Sequence, residues 1–208
     1  MEALLGNDPA ALRLAAGFCG LDYHDGPRKF HTASLSSPIR VNGENVDIWN
    51  NLAVLSMSAE RASRMSNIPH EVGVIPFQGH LLLVMDPYKM GRGMETLLGS
   101  DMNRLRRRFY LEVVLLWAKQ WGITVLSQLA RKDGIVNIKL RYDEMKTVTV
   151  TINKIGNATV ETDGFQGVEC LKTIADLVSR LGTVEKTEEK SEMHCRPQTT
   201  HVSAGVTG

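Results

Sequence analysis

Six basic residues crowd one stretch of this chain: Lys89, Arg92, Arg104, Arg106, Arg107 and Arg108. A guanidinium presents a planar fork of donors that fits carboxylates and phosphates. On a helix Arg104 and Arg108 share a face, whereas Arg107 points elsewhere. Positive charge at the start of a helix opposes the helix dipole, and an anion or acidic partner held there relieves it. Arg104, Arg106, Arg107 and Arg108 are therefore the candidate contact for an anion, a nucleic acid or an acidic protein. The competing reading is an ordinary solvated first turn. Few aromatic residues interleave with these arginines, which counts against a platform for stacking single-stranded bases.

Other residues with reactive side chains form weaker patterns. Met90 to Met94, MGRGM, has the glycines of a phosphate loop but lacks the G-x-x-x-x-G-K-[ST] spacing, so it reads as a connector. His24, His31, His70 and His80, with Asp22, Asp25 and Glu71 nearby, do not show the paired spacing of a zinc site; His24, Asp25 and His31 are the nearest to a ligand set, and solvated turn histidines are the alternative. Cys19, Cys170 and Cys195 are odd in number and far apart, which fits reduced thiols better than a disulfide framework. No H-E-x-x-H, G-x-S-x-G or paired-carboxylate signature is present. The expectation is no catalytic residue, no metal and no cofactor.

The element that must position the arginines is the stretch Arg106 to Trp121, RRRFYLEVVLLWAKQW. From Phe109 to Ala118 only Glu112 is strongly polar. At helical spacing Leu105, Phe109, Val113 and Leu116 form one stripe, and Tyr110, Val114, Trp117 and Trp121 form the next. A helix apolar on that much of its circumference has to be covered on more than one side. A sheet is expected on one side, and on the other a second helix or a partner chain, for which Tyr110, Trp117 and Trp121 are the candidate interface; Tyr142 and Phe165 add to the apolar excess.

Along the chain, Asn7-Asp8-Pro9 caps a short helix from Ala10 to Phe18. Phe30 to Leu35 and Asn45 to Met57 are expected as strands separated by Asn42-Gly43, the second with a bend at Asn50-Asn51. Ser58 to Ile68 is a short helix or a loop. His70 to Asp86 reads as two strands joined at Gln78-Gly79, with Leu81 to Met85 a central strand. Ser100-Asp101 is the expected cap of the arginine-bearing helix and Gly122 its terminator. Strands at Ile123 to Leu129 and Val136 to Tyr142 hinge on Lys132-Asp133-Gly134. Residues 147 to 161 form a hairpin at Gly156-Asn157, and a helix runs from Val168 to Leu181.

The class is therefore α+β: a mostly antiparallel sheet with two main helices packed on it, plus a C-terminal strand-strand-helix unit. Residues 1–143 are expected as one α+β domain, 144–184 as a small unit sharing or extending its sheet, and 185–208, with no aromatics and scattered charge, as a disordered tail. In 208 residues, 24 Lys and Arg nearly balance 23 Asp and Glu, so no overall field recruits nucleic acid or an anionic membrane. No window approaches the roughly 20 apolar residues that span a bilayer, and the N-terminus does not read as a signal peptide. A cytoplasmic protein, or one of a plastid stroma, is expected.

The stretch from Glu71 to Leu140, EVGVIPFQGHLLLVMD through RRRFYLEVVLLWAKQWG to ITVLSQLARKDGIVNIKL, resembles the hypothetical chloroplast reading frame thirty-five type family of cyanobacteria, plastids and phages, also called domain of unknown function twelve-fifty-seven. Residues 145 to 190, with Gly164-Phe165-Gln166-Gly167-Val168-Glu169-Cys170 ahead of a helix, resemble a second family, domain of unknown function twenty-nine ninety-seven. The resemblance implies a non-enzymatic accessory or adaptor protein, with a protein partner that could be an ATPase of the AAA-plus class. Nucleic-acid or anion binding through Arg104 to Arg108 is the alternative.

Overall fold

The computed structural model describes residues 2–64, 69–86, 88, 93–165, 168–182, 184–189 and 198–202. Lys89, Arg92, most of the MGRGM stretch, the end of the Ser58 to Ile68 segment and Cys195 lie outside the described residues. The class is α+β, with every strand ladder antiparallel.

The strands divide into two main sheets. In the first, β1 (Glu2–Leu5), β2 (Leu21–Asp25), β5 (Ala53–Met57), β6 (Val72–Phe77) and β7 (His80–Met85) lie in the order β1-β7-β6-β5-β2. Strand alternation sends Leu81, Leu83 and Met85 of β7 to one core, and Leu82 and Val84 to another. The first core is closed by α1 (Pro9–Phe18), whose start is capped by Asp8 accepting a 3.0 Å bond from the Ala11 N–H. The second is closed by residues 26–50, including the small hairpin β3 (Ile39–Val41) and β4 (Glu44–Val46) turned at Asn42 and Gly43.

Phe30 to Leu35 is not a strand. Its backbone N–H groups are taken by carboxylates instead of a neighbouring chain. Glu71 accepts from His31, and Asp86 accepts from Ala33, Ser34 and the Ser34 hydroxyl. Phe30 then lies flat over Gly73, where any Cβ would meet its ring at 2.6 Å. Asn45 to Met57 is likewise two strands, because Asn51 turns the corner, its buried amide donating to the carbonyls of Arg28, Ile48 and Trp49. β1 was not expected from the sequence; it is only four residues long and is held by pairing with β7.

After the short helices α2 (Ala59–Ala62) and α3 (Met94–Leu98) comes α4 (Asn103–Gln120), the expected arginine-bearing helix. Neither Ser100 nor Asp101 caps it. Asp101 and Met102 enter it with φ of 51° and 56°, and Met102 is anchored by complete burial rather than by a side-chain cap. Its C-terminus closes as expected on Gly122, with φ of 65°.

The second sheet has the order β12-β13-β11-β10-β9-β8, built from β8 (Thr124–Ala130), β9 (Val136–Arg141), β10 (Thr147–Ile152), β11 (Ala158–Asp163), β12 (Val184–Glu189) and β13 (Gln198–Val202). β9 and β10, on either side of residue 143, are neighbours in it. α5 (Val168–Leu181) follows β11 and packs on α4. The stretch expected as a disordered tail thus supplies two strands. An open sheet edge accepts any chain with free backbone groups, so a polar composition does not prevent β13 from pairing with β11.

An arginine-lined groove beside an open sheet edge

α4 lies between two layers, with α1 against one side and the second sheet and α5 against the other. This sandwich answers the two apolar stripes and decides the fate of the predicted interface residues. Tyr110 and Trp117 are each 1% exposed, so they belong to the core and are not available to a partner. The helix's second face is covered by the protein's own sheet. Neither the Tyr110 hydroxyl nor the Trp117 Nε1 has a hydrogen-bond partner among the described residues, and burial pushes the Tyr110 phenol well above its ordinary range, with Arg106 pulling the other way. Trp121, one turn further, is 57% exposed and donates from Nε1 to Asp176 of α5 at 3.3 Å.

The four arginines are separated by the same packing. Arg106 donates from Nη2 to Asn157 Oδ1 at 3.3 Å, and Arg107 from Nη1 to the Gly134 carbonyl at 3.0 Å. These are the turns of the β10–β11 and β8–β9 hairpins, so adjacent arginines hold the start of α4 to two neighbouring hairpin tips. Gly134 is required: its φ is 85°, and a Cβ there would come within 2.5 Å of the Arg107 Nη1. Arg108 turns towards α1, ion-paired with Glu112 and stacked on the Phe18 ring at 3.9 Å. Arg104 is exposed. Of these attachments only the Glu112 carboxylate offsets a charge set against the dipole; the Asn157 and Gly134 oxygens satisfy donors and leave the charge in place.

Between these elements lies a groove of about 270 Å³. Arg104, Arg107 and Arg108 border it from α4, Phe18 and Leu111 supply apolar surface, and Gln128, Ala130 and Val136 form the opposite wall. That volume is at the small end for a ligand site, suited to a side chain or two rather than a large cofactor.

The wall formed by β8 is the outermost strand of its sheet. All of β8 except Ser127 is exposed, including Val125, Leu126 and Leu129, the last at 61%. Register with β9 puts Gln128 and Ala130 on the groove face, opposite Ile138 and Val136, and turns Leu129 to the other face, while the ladder shifts between Val125 and Ser127 and leaves Leu126 at a bulge. Sequence reasoning assigned no role to Phe18, Leu126 or Leu129. The available signal was the lack of strict polar alternation in TVLSQLA, which is unusual for a strand with solvent on one side.

Several other titratable groups are committed to structure. Burial pushes the Cys19 thiol up despite Arg104 and Arg108, which disfavours the reactive thiolate. Asp86 is buried, which by itself raises a carboxyl group, but the N–H groups of Tyr88, Ser34 and Ala33 and the Ser34 hydroxyl hold it far below the ordinary carboxylate range. His24 bonds Ser56 at 2.8 Å, and His31 packs on the buried His70. Among the described residues no three His, Cys, Asp or Glu side chains form a metal-holding group. Nor is any helix among them long and apolar enough to cross a membrane.

Residues 148–194 match the family described as Protein of unknown function (DUF2997), which covers β10, β11, α5 and β12. This agrees with the resemblance of the C-terminal unit, whereas that of Glu71 to Leu140 to the reading frame thirty-five type has no support from the comparison. No curated protein and no solved structure matches the chain.

Proposed function

We propose that this is a non-enzymatic accessory protein that works by holding a partner protein along β8 and the adjoining groove. One observation carries the reading: an edge strand with Leu126 and Leu129 exposed, beside a concave surface bordered by arginines. Sheet edges of this kind are normally blunted unless something pairs with them. The non-enzymatic part is supported by the use made of the perturbed groups, since Asp86 straps a loop and burial disfavours ionisation of Cys19 and Tyr110. An AAA-plus ATPase is the partner class that the family resemblance implies, and a buried, free Cys19 suits the reducing interior of a cytoplasm or plastid stroma.

The test is affinity purification of the full chain from its host, with nuclease treatment, alongside a Leu126→Asp/Leu129→Asp variant. A protein retained by wild type through nuclease and lost by the variant is the expected result. Retention by both places the interface elsewhere and overturns the reading.

Nucleic-acid or anion binding through Arg104, Arg106, Arg107 and Arg108 is the second reading, and the exposed Arg104 favours it. Against it, Arg106, Arg107 and Arg108 already meet acceptors of the protein. Oligonucleotide affinity that falls steeply with salt, and less steeply in Arg104→Ala, would establish it.

A further inference from the structure

We propose that β8 takes up an extended acidic segment of the partner as an added antiparallel strand, with an Asp or Glu side chain of that segment entering the groove against Arg104. This rests on the accessory-protein reading and specifies the chemistry of what is held. Strand addition supplies affinity through backbone hydrogen bonds, and pockets beneath alternate side chains supply selectivity. β8 has both parts. Its outer edge pairs with no strand among the described residues, and its groove-side residues Gln128 and Ala130 lead directly into the cavity beneath α4.

The charge of the groove selects the occupant. Its charged lining residues are Arg104, Arg107 and Arg108. Glu112 neutralises Arg108, but a backbone carbonyl leaves the charge of Arg107 in place, and Arg104 is exposed to meet a carboxylate. Phe18 and Leu111 offer apolar contact to a neighbouring side chain of the same segment. A second copy of this chain fits less well. Antiparallel pairing of β8 with itself about a twofold axis keeps the same faces together, so two arginine-bordered grooves would adjoin and repel.

A displayed library of random linear peptides is panned on the immobilised full chain, and selected peptides are measured in solution with hydrogen exchange of the protein. Selected sequences are expected to alternate apolar residues with Asp or Glu, to protect amides between Leu126 and Ala130, and to bind about tenfold more weakly to Arg104→Glu than to wild type, the scale of one charge-assisted contact. Arg104→Lys should retain most of the affinity, which separates charge from folding. Peptides that bind without protecting β8, that are indifferent to Arg104→Glu, or that cannot be selected at all overturn the proposal. So does protection of β8 by self-association, read from sedimentation, or displacement of peptide by an oligonucleotide. If the host partner is still lost from the Leu126→Asp/Leu129→Asp variant while the peptide results fail, strand addition falls and the accessory reading stands.

Discussion

β7 and β8 are strands of six and seven residues, both rich in aliphatic side chains, with opposite fates. Every residue of β7 from Leu81 to Met85 is buried, whereas β8 is exposed everywhere but at Ser127. β7 runs between β1 and β6, with α1 and α4 closing one face and residues 26–50 closing the other. β8 ends its sheet, and α4 shelters its inner face only as far as the groove. Place in the sheet, more than aliphatic content, decides what a strand does. Where no second strand arrives, leucines remain open that a central strand would bury. β8 carries a bulge, with Arg131 and Lys132 just beyond it, but no proline or charge within, so its edge is only partly blunted.

Deleting a leucine side chain from each strand should have very different effects. Leu83→Ala in β7 should lower unfolding stability by about 2–5 kcal/mol, measured by urea titration, because a fully buried leucine leaves both lost contacts and a cavity.

Asp86 fastens the cover of the first sheet's outer face, so Asp86→Asn should cost about 1.5–3 kcal/mol at neutral pH, the range for bonds to a charged acceptor. Its folded-state pKa is depressed, so its contribution is complete above the ordinary value of 3.8 and is lost as pH falls through that value towards the folded one. Urea midpoints of wild type and Asp86→Asn should therefore converge on acidification. Curves that stay parallel would show that the carboxylate does not fasten the cover.

Tyr110→Phe sharpens the account of α4, which joins the two regions. Removing a buried hydroxyl with no partner among the described residues should raise stability by about 1 kcal/mol or less, seen as a higher Tm. A lower Tm would mean that the hydroxyl is hydrogen-bonded in solution.

The smallest effect is expected from Leu129→Ala, within about 0.5 kcal/mol, as for surface positions generally. A loss comparable with that of Leu83→Ala would mean that β8 is covered in the isolated protein, and the contrast between the strands would disappear.

Much of the fold was legible because its signals are local. Asp8-Pro9 announced α1, Gln78-Gly79 the turn between β6 and β7, Gly156-Asn157 the next hairpin, and the run from Phe109 to Ala118 a helix needing two covers. Phe30 to Leu35 misled because its aromatic and β-branched residues suit an extended backbone, while the partners of its N–H groups, Glu71 and Asp86, lie about 40 and 50 residues away. The arginines were visible as a cluster in sequence but not as an arrangement. Arg107, expected to point away from Arg104 and Arg108, borders the same groove, because residues three apart on a helix are neighbours, and only the folded hairpins supply the Gly134 carbonyl and Asn157 that claim Arg107 and Arg106.

Sequence alone determined the α+β class, the hairpin turns at Gly134 and Gly156, and the need to bury α4 on two sides, since glycine punctuation and apolar periodicity depend on neighbours a few residues apart. Tertiary structure alone decided that Tyr110 and Trp117 face the protein's own core while Trp121 and Leu129 face solvent, that Arg104 is exposed, and that β8 is an edge. Those outcomes depend on which surfaces meet across tens of residues, and identical side chains are buried or exposed according to whether another layer arrives to exclude water from them.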